Sequence, residues 1–180
     1  MGMWASILTN LIYLSLDNNL LDGDIPSKIW DLPNLEFLYM QGNGLTGEIE
    51  IDDDDDIDEG DVRGLSQIVK LYLHDNELTG SIPSGIWDLT TLEELNLSLN
   101  NLTGIISGEI SQLENLKSLD LNGNLLSDKL PDEISTLTSL TDLHLHNNLL
   151  SGELPTAICN LSSINWASDV SFNISGNEFC

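Results

Sequence analysis

Residues 11–32 read LIYLSLDNNLLDGDIPSKIWDL, and residues 68–89 read IVKLYLHDNELTGSIPSGIWDL. The two stretches agree in phase at their aliphatic positions and at single Asn, Gly and Ile-Pro positions. Further copies follow, so that repeats begin at Leu11, Leu35, Ile68, Leu92, Leu116 and Leu140. Successive starts are 24 residues apart, except for the 33 residues between the second and the third. A fixed period of this length indicates a repeat architecture.

The strand and turn positions of each repeat have a physical role in such an architecture. In Leu14-Ser15-Leu16 the alternation sends both leucines to one side of a short strand, and repetition stacks these strands into a parallel sheet. A recurring Asn follows each strand, where its amide can satisfy backbone groups that the bend leaves unpaired. We predict this structural role for Asn19, Asn43, Asn76, Asn100, Asn124 and Asn148.

Glycine and proline mark the rest of each repeat. The glycine allows a positive φ in a tight turn, and it occurs at Gly23, Gly47, Gly80, Gly104 and Gly152, with Asp128 as the exception. The proline fixes an extended segment on the opposite side, at Pro26, Pro83, Pro131 and Pro155. An irregular last copy near residues 164–180 has the repeat positions Phe172, Ile174, Asn177 and Phe179.

The pattern LxxLxLxxNxLxGxIPxxIxxL, carried by residues 11–32 and 68–89, resembles the plant-type extracellular leucine-rich repeat. The resemblance covers nearly the whole chain, which we interpret as a single domain over residues 1–180. It implies an α/β-type solenoid, a right-handed superhelix with a concave parallel β-sheet and a convex side of loops and 3-10 turns. Similar proteins include receptor-like ectodomains and polygalacturonase inhibitors. Because residues 3–8 read as the tail of an earlier repeat, we expect a fragment of a longer protein.

The second repeat has nine extra residues, because twelve residues (50–61) separate Ile49 from Val62 where other repeats have three, and these twelve form an acidic insertion. The aliphatic register resumes at Val62, Leu65 and Ile68, so we expect the insertion to leave the convex side without disturbing the strands. A calcium-binding loop would need a glycine where Glu59 stands. We therefore favour a solvated acidic loop over a Ca²⁺ site.

The composition excludes several classes of function. With 30 Asp and Glu against 5 Lys and Arg, the formal charge is -25, so nucleic acid and anionic lipid are poor partners. No apolar run reaches the roughly 18 residues of a membrane-spanning helix. Cys159 and Cys180 can form one disulfide or none, and they are not a CxxC metal site. GxSxG, HExxH, phosphate-binding and kinase motifs are all absent, so we predict neither enzyme activity nor a cofactor.

The solvent face of the strands is the expected functional surface. Its residues are Tyr13, Ser15, Asp17, Phe37, Tyr39, Gln41, Lys70, Tyr72, His74, Glu94, Asn96, Ser98, Ser118, Asp120, Asn122, Asp142, His144 and His146. The first repeats supply aromatic side chains and the later ones acids and amides, which would match a protein or peptide ligand with an apolar end and a basic end. The alternative is strand propensity alone. We predict ligand-binding residues at Tyr13, Phe37, Tyr39, Tyr72, His74, Glu94, Asp120, Asp142 and His144.

Metal binding and glycosylation are two further hypotheses. His144 and His146 share one side of a strand near Asp120 and Asp142 and could bind Zn²⁺ or Cu²⁺, but nothing indicates a closed coordination shell. We interpret them as solvated polar residues and predict no metal site. Glycosylation sequons occur about as often as composition alone predicts, at Asn96, Asn101, Asn160 and Asn173. The resemblance, rather than these sequons, implies an extracellular or cell-surface location.

A recognition module for signal perception or defence is therefore the leading hypothesis. One alternative is a structural or ice-adsorbing solenoid, which would favour a flat row of small hydroxylated residues; the mixed side chains of the strand face argue against it. The other is a non-catalytic fragment of a receptor kinase whose kinase domain lies elsewhere. Neither the identity of the ligand nor the oligomeric state follows from the residues.

Overall fold

The structure is a computed structural model that describes residues 8–51, 64–166 and 171–180. Most of the acidic insertion predicted over residues 50–61 lies outside these residues, as does Val62, so its convex placement stays a prediction. Ile49, just before the insertion, is buried, and Ile51, near its start, packs against the core. After it, Leu65 and Ile68 are fully buried, which confirms that the register resumes there.

Seven short strands stack into one parallel sheet, as the repeat predicted. They are Tyr13–Ser15, Phe37–Tyr39, Lys70–Tyr72, Glu94–Asn96, Ser118–Asp120, Asp142–His144 and Phe172–Asn173. The strands pair in register, so that Leu38 lies opposite both Leu14 and Leu71. In the irregular last repeat, Phe172 lies opposite Leu143. The longer final spacing therefore leaves the sheet intact, and this sheet forms the concave side of a right-handed solenoid.

Other short strands lie on the flank of the solenoid, and 3-10 helices line its convex side. Strand Asp22–Asp24 pairs with Gly44–Thr46, and Leu149–Gly152 lies between Ser127–Lys129 and Glu178–Phe179. The 3-10 helices are Ser27–Ile29, Ser84–Ile86, Gly108–Gln112, Asp132–Thr136 and Thr156–Asn160. Extended backbone at Pro26, Pro83 and Pro131 precedes three of them, which confirms the predicted role of these prolines. In the described part of the chain, no helix has the length and apolar character needed to cross a bilayer.

The core is a stack of aliphatic side chains between the concave sheet and the convex helices. The strand leucines Leu71, Leu95 and Leu119 are at most 1% exposed. Burying one such side chain contributes about 1.5–3 kcal/mol. Each repeat contacts only its neighbours, so this contribution depends on the next repeat being folded.

The recurring asparagines form a hydrogen-bonded ladder beside the core. At Asn100 the side-chain amide donates to the carbonyl oxygens of Leu73, Leu97 and Ser98, each at 3.1 Å. Its Oδ1 accepts the backbone N–H of Leu78 at 3.0 Å. Every repeat described from Asn43 to Asn148 repeats this pattern. The predicted structural role is confirmed for Asn43, Asn76, Asn100, Asn124 and Asn148, whereas the side chain of the exposed Asn19 donates, among the described residues, only to the carbonyls of Leu16 and Asp17 in its own turn.

Removing one rung of this ladder is expected to destabilise the protein. In Asn124→Ala, the carbonyls of Leu97 and Leu121 and the N–H of Leu102 lose their partner. Because these groups are buried, we expect a loss of about 3 kcal/mol in the free energy of unfolding, measured by urea denaturation. Asn19→Ala is the control, since Asn19 is exposed and should cost less than about 1 kcal/mol. Equal losses would contradict the ladder's role.

The turn glycines adopt the left-handed backbone that the sequence predicted. Gly23, Gly47, Gly80, Gly104 and Gly152 have φ between 75° and 79°. At the equivalent position of its repeat, Asp128 has a φ of 68°. The one exception in the sequence therefore keeps the conformation.

Two leucines also have left-handed backbone, at φ 58° for Leu65 and 53° for Leu99. For a residue with a Cβ this conformation costs roughly 1–2 kcal/mol. Leu65 offsets the cost by burying its whole side chain, whereas Leu99 is 53% exposed. Burial of the side chain therefore does not offset the cost of this backbone conformation at Leu99.

Candidate binding face

The concave face consists of the side chains that project from the seven-stranded sheet away from the core. In the central strands the middle residue is buried and its two neighbours are half-buried, which confirms the predicted alternation. The prediction was wrong for Ser98, which is 3% exposed. Its N–H and hydroxyl both donate to Oδ1 of Asn96, at 3.0 and 2.7 Å, so the serine turns back onto its own strand.

Four aromatic side chains from three repeats meet at one end of this face. The ring of Tyr13 lies 6.1 Å from that of Phe37 and 5.3 Å from that of Tyr39. Tyr39 and Tyr72 pack edge to face at 5.1 Å, a favourable arrangement for two aromatic rings. We call Tyr13, Phe37, Tyr39 and Tyr72 the aromatic patch. The structure thus brings together the aromatic residues that the sequence placed in the site.

A half-buried ion pair lies next to the aromatic patch on its C-terminal side. The ammonium of Lys70 lies 2.7 Å from Oε1 of Glu94, and the Tyr72 hydroxyl donates to Oε2 of the same carboxylate. Burial would raise the pKa of Glu94, but the hydrogen bonds from Lys70 and Tyr72 outweigh it and lower that pKa. The bond to Glu94 raises the pKa of Lys70, and burial together with this carboxylate raises the pKa of Tyr72. Lys70 is therefore charged and Tyr72 neutral when the face is folded.

The lowered pKa of Glu94 predicts a pH-dependent contribution to stability. Folding lowers this pKa from its ordinary value of 4.5, so the ionised carboxylate stabilises the native state above that pH. The contribution is lost as the pH falls through the folded-state pKa. Glu94→Gln should therefore lower the free energy of unfolding at neutral pH by about 1 kcal/mol, which is measured as a lower melting temperature. The difference from the wild type should shrink at acidic pH.

A matched control for this measurement is Glu93→Gln. Glu93 pairs with Lys117 at 2.8 Å, but both side chains are more exposed than those of Lys70 and Glu94. Such a surface pair contributes little, so we expect a smaller effect on the melting temperature. If the Glu94→Gln difference is the same at neutral and acidic pH, the ion pair does not stabilise the face.

The other half of the concave face carries acids, amides and histidines. Asn122 donates to Oδ1 of Asp120 from its backbone at 3.1 Å and from its side chain at 2.5 Å. Nδ1 of His144 lies 3.7 Å from Oδ2 of Asp120, and the ring of His146 lies 6.1 Å from that of His144. Asp142 accepts the hydroxyl of Thr141 at 2.7 Å. In residues 8–51, 64–166 and 171–180, no three His, Cys, Asp or Glu side chains are grouped to hold a metal.

Two residues at the boundary between the halves were not assigned to the site from sequence. Lys70 has the same position in its repeat as Glu94 has in the next one. The period of 24 residues therefore predicts that the two side chains are neighbours. Gln41 lies beside His74, since the N–H of Gly42 donates to the carbonyl of His74 at 3.1 Å. Oε1 of Gln41 and Nδ1 of His74 are both buried without a hydrogen-bond partner among the described residues. Burial lowers the pKa of His74, which keeps its ring neutral.

The sequons differ in their surroundings. Asn101 and Asn160 are exposed outside the concave sheet, which is where an attached glycan has room. In contrast, Asn96 and Asn173 lie in concave strands, and Oδ1 of each accepts both the N–H and the hydroxyl of the serine of its own sequon. Glycosylation of all four stays a prediction. Cys159 and Cys180 are both exposed and free, so the structure contains no bridge between them.

The residue pattern and the stacked sheet place the chain in a known family. The leucine rich repeat profile matches residues 3–45, 66–126 and 90–150, which together are more than half of the chain. The chain belongs to the leucine-rich repeat family. Within this family, it is 30% identical over 87 residues to Receptor-like protein 48 of Arabidopsis thaliana and 33% identical over 85 residues to Receptor-like protein 31. These matches cover 48% and 47% of this chain but only 9% of each relative.

Solved structures of plant receptors and of a plant ice-binding protein share the fold. The TDR receptor aligns with a TM-score of 0.84 and 31% identity, over 96% of this chain and 28% of that one. A second match is the ectodomain of the plant membrane receptor kinase GASSHO1/SCHENGEN3 from Arabidopsis thaliana, solved in complex with CASPARIAN STRIP INTEGRITY FACTOR 2. It aligns with a TM-score of 0.76 and 34% identity, over 96% of this chain and 22% of that one. A plant ice-binding protein aligns with a TM-score of 0.74 and 32% identity, over 100% of this chain and 53% of that one. The predicted resemblance to plant receptor-like repeats is confirmed.

Proposed function

We propose that this leucine-rich repeat chain is the recognition part of a receptor-like protein and binds a peptide or protein on its concave face, outside the cell. The observation that carries the proposal is the aromatic patch, in which four aromatic rings from successive repeats form one continuous surface. Large aromatic side chains supply much of the binding energy in interfaces. A continuous aromatic patch on a solvent-exposed face of a protein usually has a binding role.

The charge of the chain indicates the chemistry of the ligand. Beyond the aromatic patch, the face carries Asp120 and Asp142, whose contacts are with His144, Asn122 and Thr141. Glu94 is already paired with Lys70. Asp120 and Asp142 therefore have no lysine or arginine partner among the described residues and would attract a basic group. A ligand with an apolar segment and a Lys or Arg side chain fits both halves.

The relatives support a role in recognition rather than catalysis. They are named as receptor-like proteins, and the GASSHO1/SCHENGEN3 ectodomain was solved with a bound factor. A leucine-rich repeat surface acts through its shape and charge, and we infer that this segment has no catalytic role of its own. Its place at the cell surface would come from the parent protein.

The test uses peptides selected on the protein itself. A random phage-displayed peptide library is selected on the immobilised wild-type chain, and the best peptide is titrated by calorimetry. We expect enriched peptides to contain aliphatic or aromatic residues together with Lys or Arg. Tyr39→Ala combined with Tyr72→Ala should weaken binding by at least about 100-fold, or 2.7 kcal/mol, with an unchanged circular dichroism spectrum.

The matched control is Trp166→Ala, which removes an exposed aromatic ring that packs on Phe172 at the far end of the chain. This variant should bind the selected peptide like the wild type. If the double tyrosine variant keeps its affinity, the aromatic patch is not the binding surface.

A second candidate, ice adsorption, has one observation in its favour. Hydroxyls recur on the flank rather than on the concave face, at Thr46, Thr79, Thr103, Ser127 and Ser151. The hydroxyls of Thr79 and Thr103 donate to the carbonyls of Gly47 and Gly80, both at 3.2 Å, which aligns them. Charged side chains such as Asp24 and Lys129 interrupt this flank, so recognition remains the conclusion. Thermal hysteresis in the wild type that is lost in Thr79→Val with Thr103→Val would reverse the ranking.

A further inference from the structure

Three exposed leucines lie between the concave strands and the flank, with Leu149 at the start of the flank strand Leu149–Gly152. Leu125 and Leu149 are each 47% exposed and Leu99 is 53% exposed. Leu125 and Leu149 directly follow ladder asparagines, and their N–H groups donate to the carbonyls of Leu102 and Leu126 at 2.8 Å. These bonds hold the turns of successive repeats side by side. We call Leu99, Leu125 and Leu149 the leucine edge.

The backbone of Leu99 is unexpected for its position. The equivalent residues of the other repeats are all Asn, Asp or Gly with positive φ, namely Asn18, Gly42, Asp75, Gly123, Asn147 and Gly176. These are the residue types that tolerate the left-handed region. Leu99 has the same conformation with a branched apolar side chain that water still reaches. Such backbone strain at an exposed residue points to a function that the strain serves.

The neighbouring repeat makes room for this side chain. A Cβ at Gly123 would lie 2.8 Å from Cδ2 of Leu99, so the leucine lies across the space that a larger residue would take. Leu99 therefore reaches the repeat that carries Leu125. The three leucines are contributed by three consecutive repeats, and Leu99 lies against the turn that leads to Leu125.

Acidic side chains flank the leucine edge on both sides. The exposed residues Asp75 and Glu77 precede it, and the N–H of Asn76 donates to the carbonyl of Leu99 at 3.2 Å. After it, Glu178 pairs with Ser151 of the preceding repeat. The turns at residues 74–79, 98–103, 122–127 and 146–151 contain no Lys or Arg. A second copy of this chain, with its charge of -25, would be repelled from this surface.

The geometry points to a second interaction surface, the leucine edge, which binds a protein partner whose aliphatic contact residues are flanked by Lys or Arg. Its apolar centre would be buried by the partner and its acidic rim paired with the partner's basic side chains, the usual layout of a protein interface. The surface is separate from the aromatic patch and does not depend on what the concave face binds.

Stability provides the first test. In Leu99→Asn, asparagine accepts the left-handed backbone, so the melting temperature should rise by about 2–4 °C. If Leu99 instead stabilises the fold by packing within the chain, the substitution should lower the melting temperature. A fall in melting temperature would therefore overturn the proposal.

Binding provides the second test. The probe is a short fluorescein-labelled peptide of alternating leucine and arginine, followed by anisotropy at physiological salt. Leu99→Asn, Leu125→Asn and Leu149→Asn combined should weaken its binding at least about 10-fold, or 1.4 kcal/mol. Ile105→Asn is the matched control, because Ile105 is 54% exposed outside the leucine edge, and it should bind like the wild type.

Three results would overturn the proposal. The triple variant could bind the peptide as tightly as the wild type, which would place binding elsewhere on the acidic surface. A peptide with glutamate in place of arginine could bind equally well, which would remove the role of the acidic rim. Sedimentation could show a wild-type dimer that the triple variant loses, which would make a second copy the occupant.

Discussion

Leu97→Asp is expected to unfold the central repeats. Leu97 is 0% exposed and lies in the aliphatic stack, where an ionised carboxylate would have neither water nor a cationic partner. We expect a loss of more than about 5 kcal/mol in the free energy of unfolding. Because each repeat depends on its neighbours, the repeats on either side should unfold too. The measurement is circular dichroism during denaturation, combined with hydrogen exchange of the flanking strands.

The control for Leu97→Asp is Ile105→Asp. Ile105 is an aliphatic residue of the next turn but is exposed, so its replacement places the same charge in water. We expect a change of less than about 1 kcal/mol. If Leu97→Asp folds and unfolds cooperatively like the wild type, the side chain of Leu97 does not point into the core.

Gly64→Ala is expected to have the second largest effect. A Cβ at this position would lie 1.7 Å from the carbonyl oxygen of Trp30 and 2.7 Å from Cα of Asp31. Both are backbone atoms, so no side chain can move aside and the two repeats must separate. We expect a loss of about 3 kcal/mol or more, seen as a lower urea midpoint.

The matched control for this change is Gly44→Ala. A Cβ there would meet only the carbonyl oxygen of Leu21, at an ordinary 3.4 Å, and the residue does not have a positive φ. We expect a change of less than about 1 kcal/mol. If Gly64→Ala is equally mild, the backbones of the two repeats are further apart than the structure places them.

Much of the candidate site was predictable because it follows from strand alternation. Once Leu38 and Leu71 face the core, Phe37, Tyr39 and Tyr72 must face the other way, and the repeat register brings them together. The role of Asn100 was predictable for the same reason, since every bend leaves similar backbone groups unpaired. These features recur in each repeat, so each copy supports the interpretation of the others.

Other features of the site depend on contacts that a pattern does not contain. The 24-residue period predicts that Lys70 lies beside Glu94, but it does not predict that the Tyr72 hydroxyl donates to the same carboxylate. Ser98 is at a face position but turns back to Asn96, because a short hydroxyl next to an amide oxygen bonds locally.

The repeated period was enough to predict the solenoid, its parallel sheet, the asparagine ladder and the side of the strands on which ligands are expected, because the same local preferences recur in every repeat and reinforce one another. The close approach of Gly64 to the backbone of Trp30 and the packing of Leu99 against Gly123 are visible only in the folded chain. At the position of Gly64 other repeats carry Asp31 and Asp88, so no repeat pattern marks it. Such contacts depend on how neighbouring repeats pack in three dimensions, and the periodicity of one chain does not specify that packing.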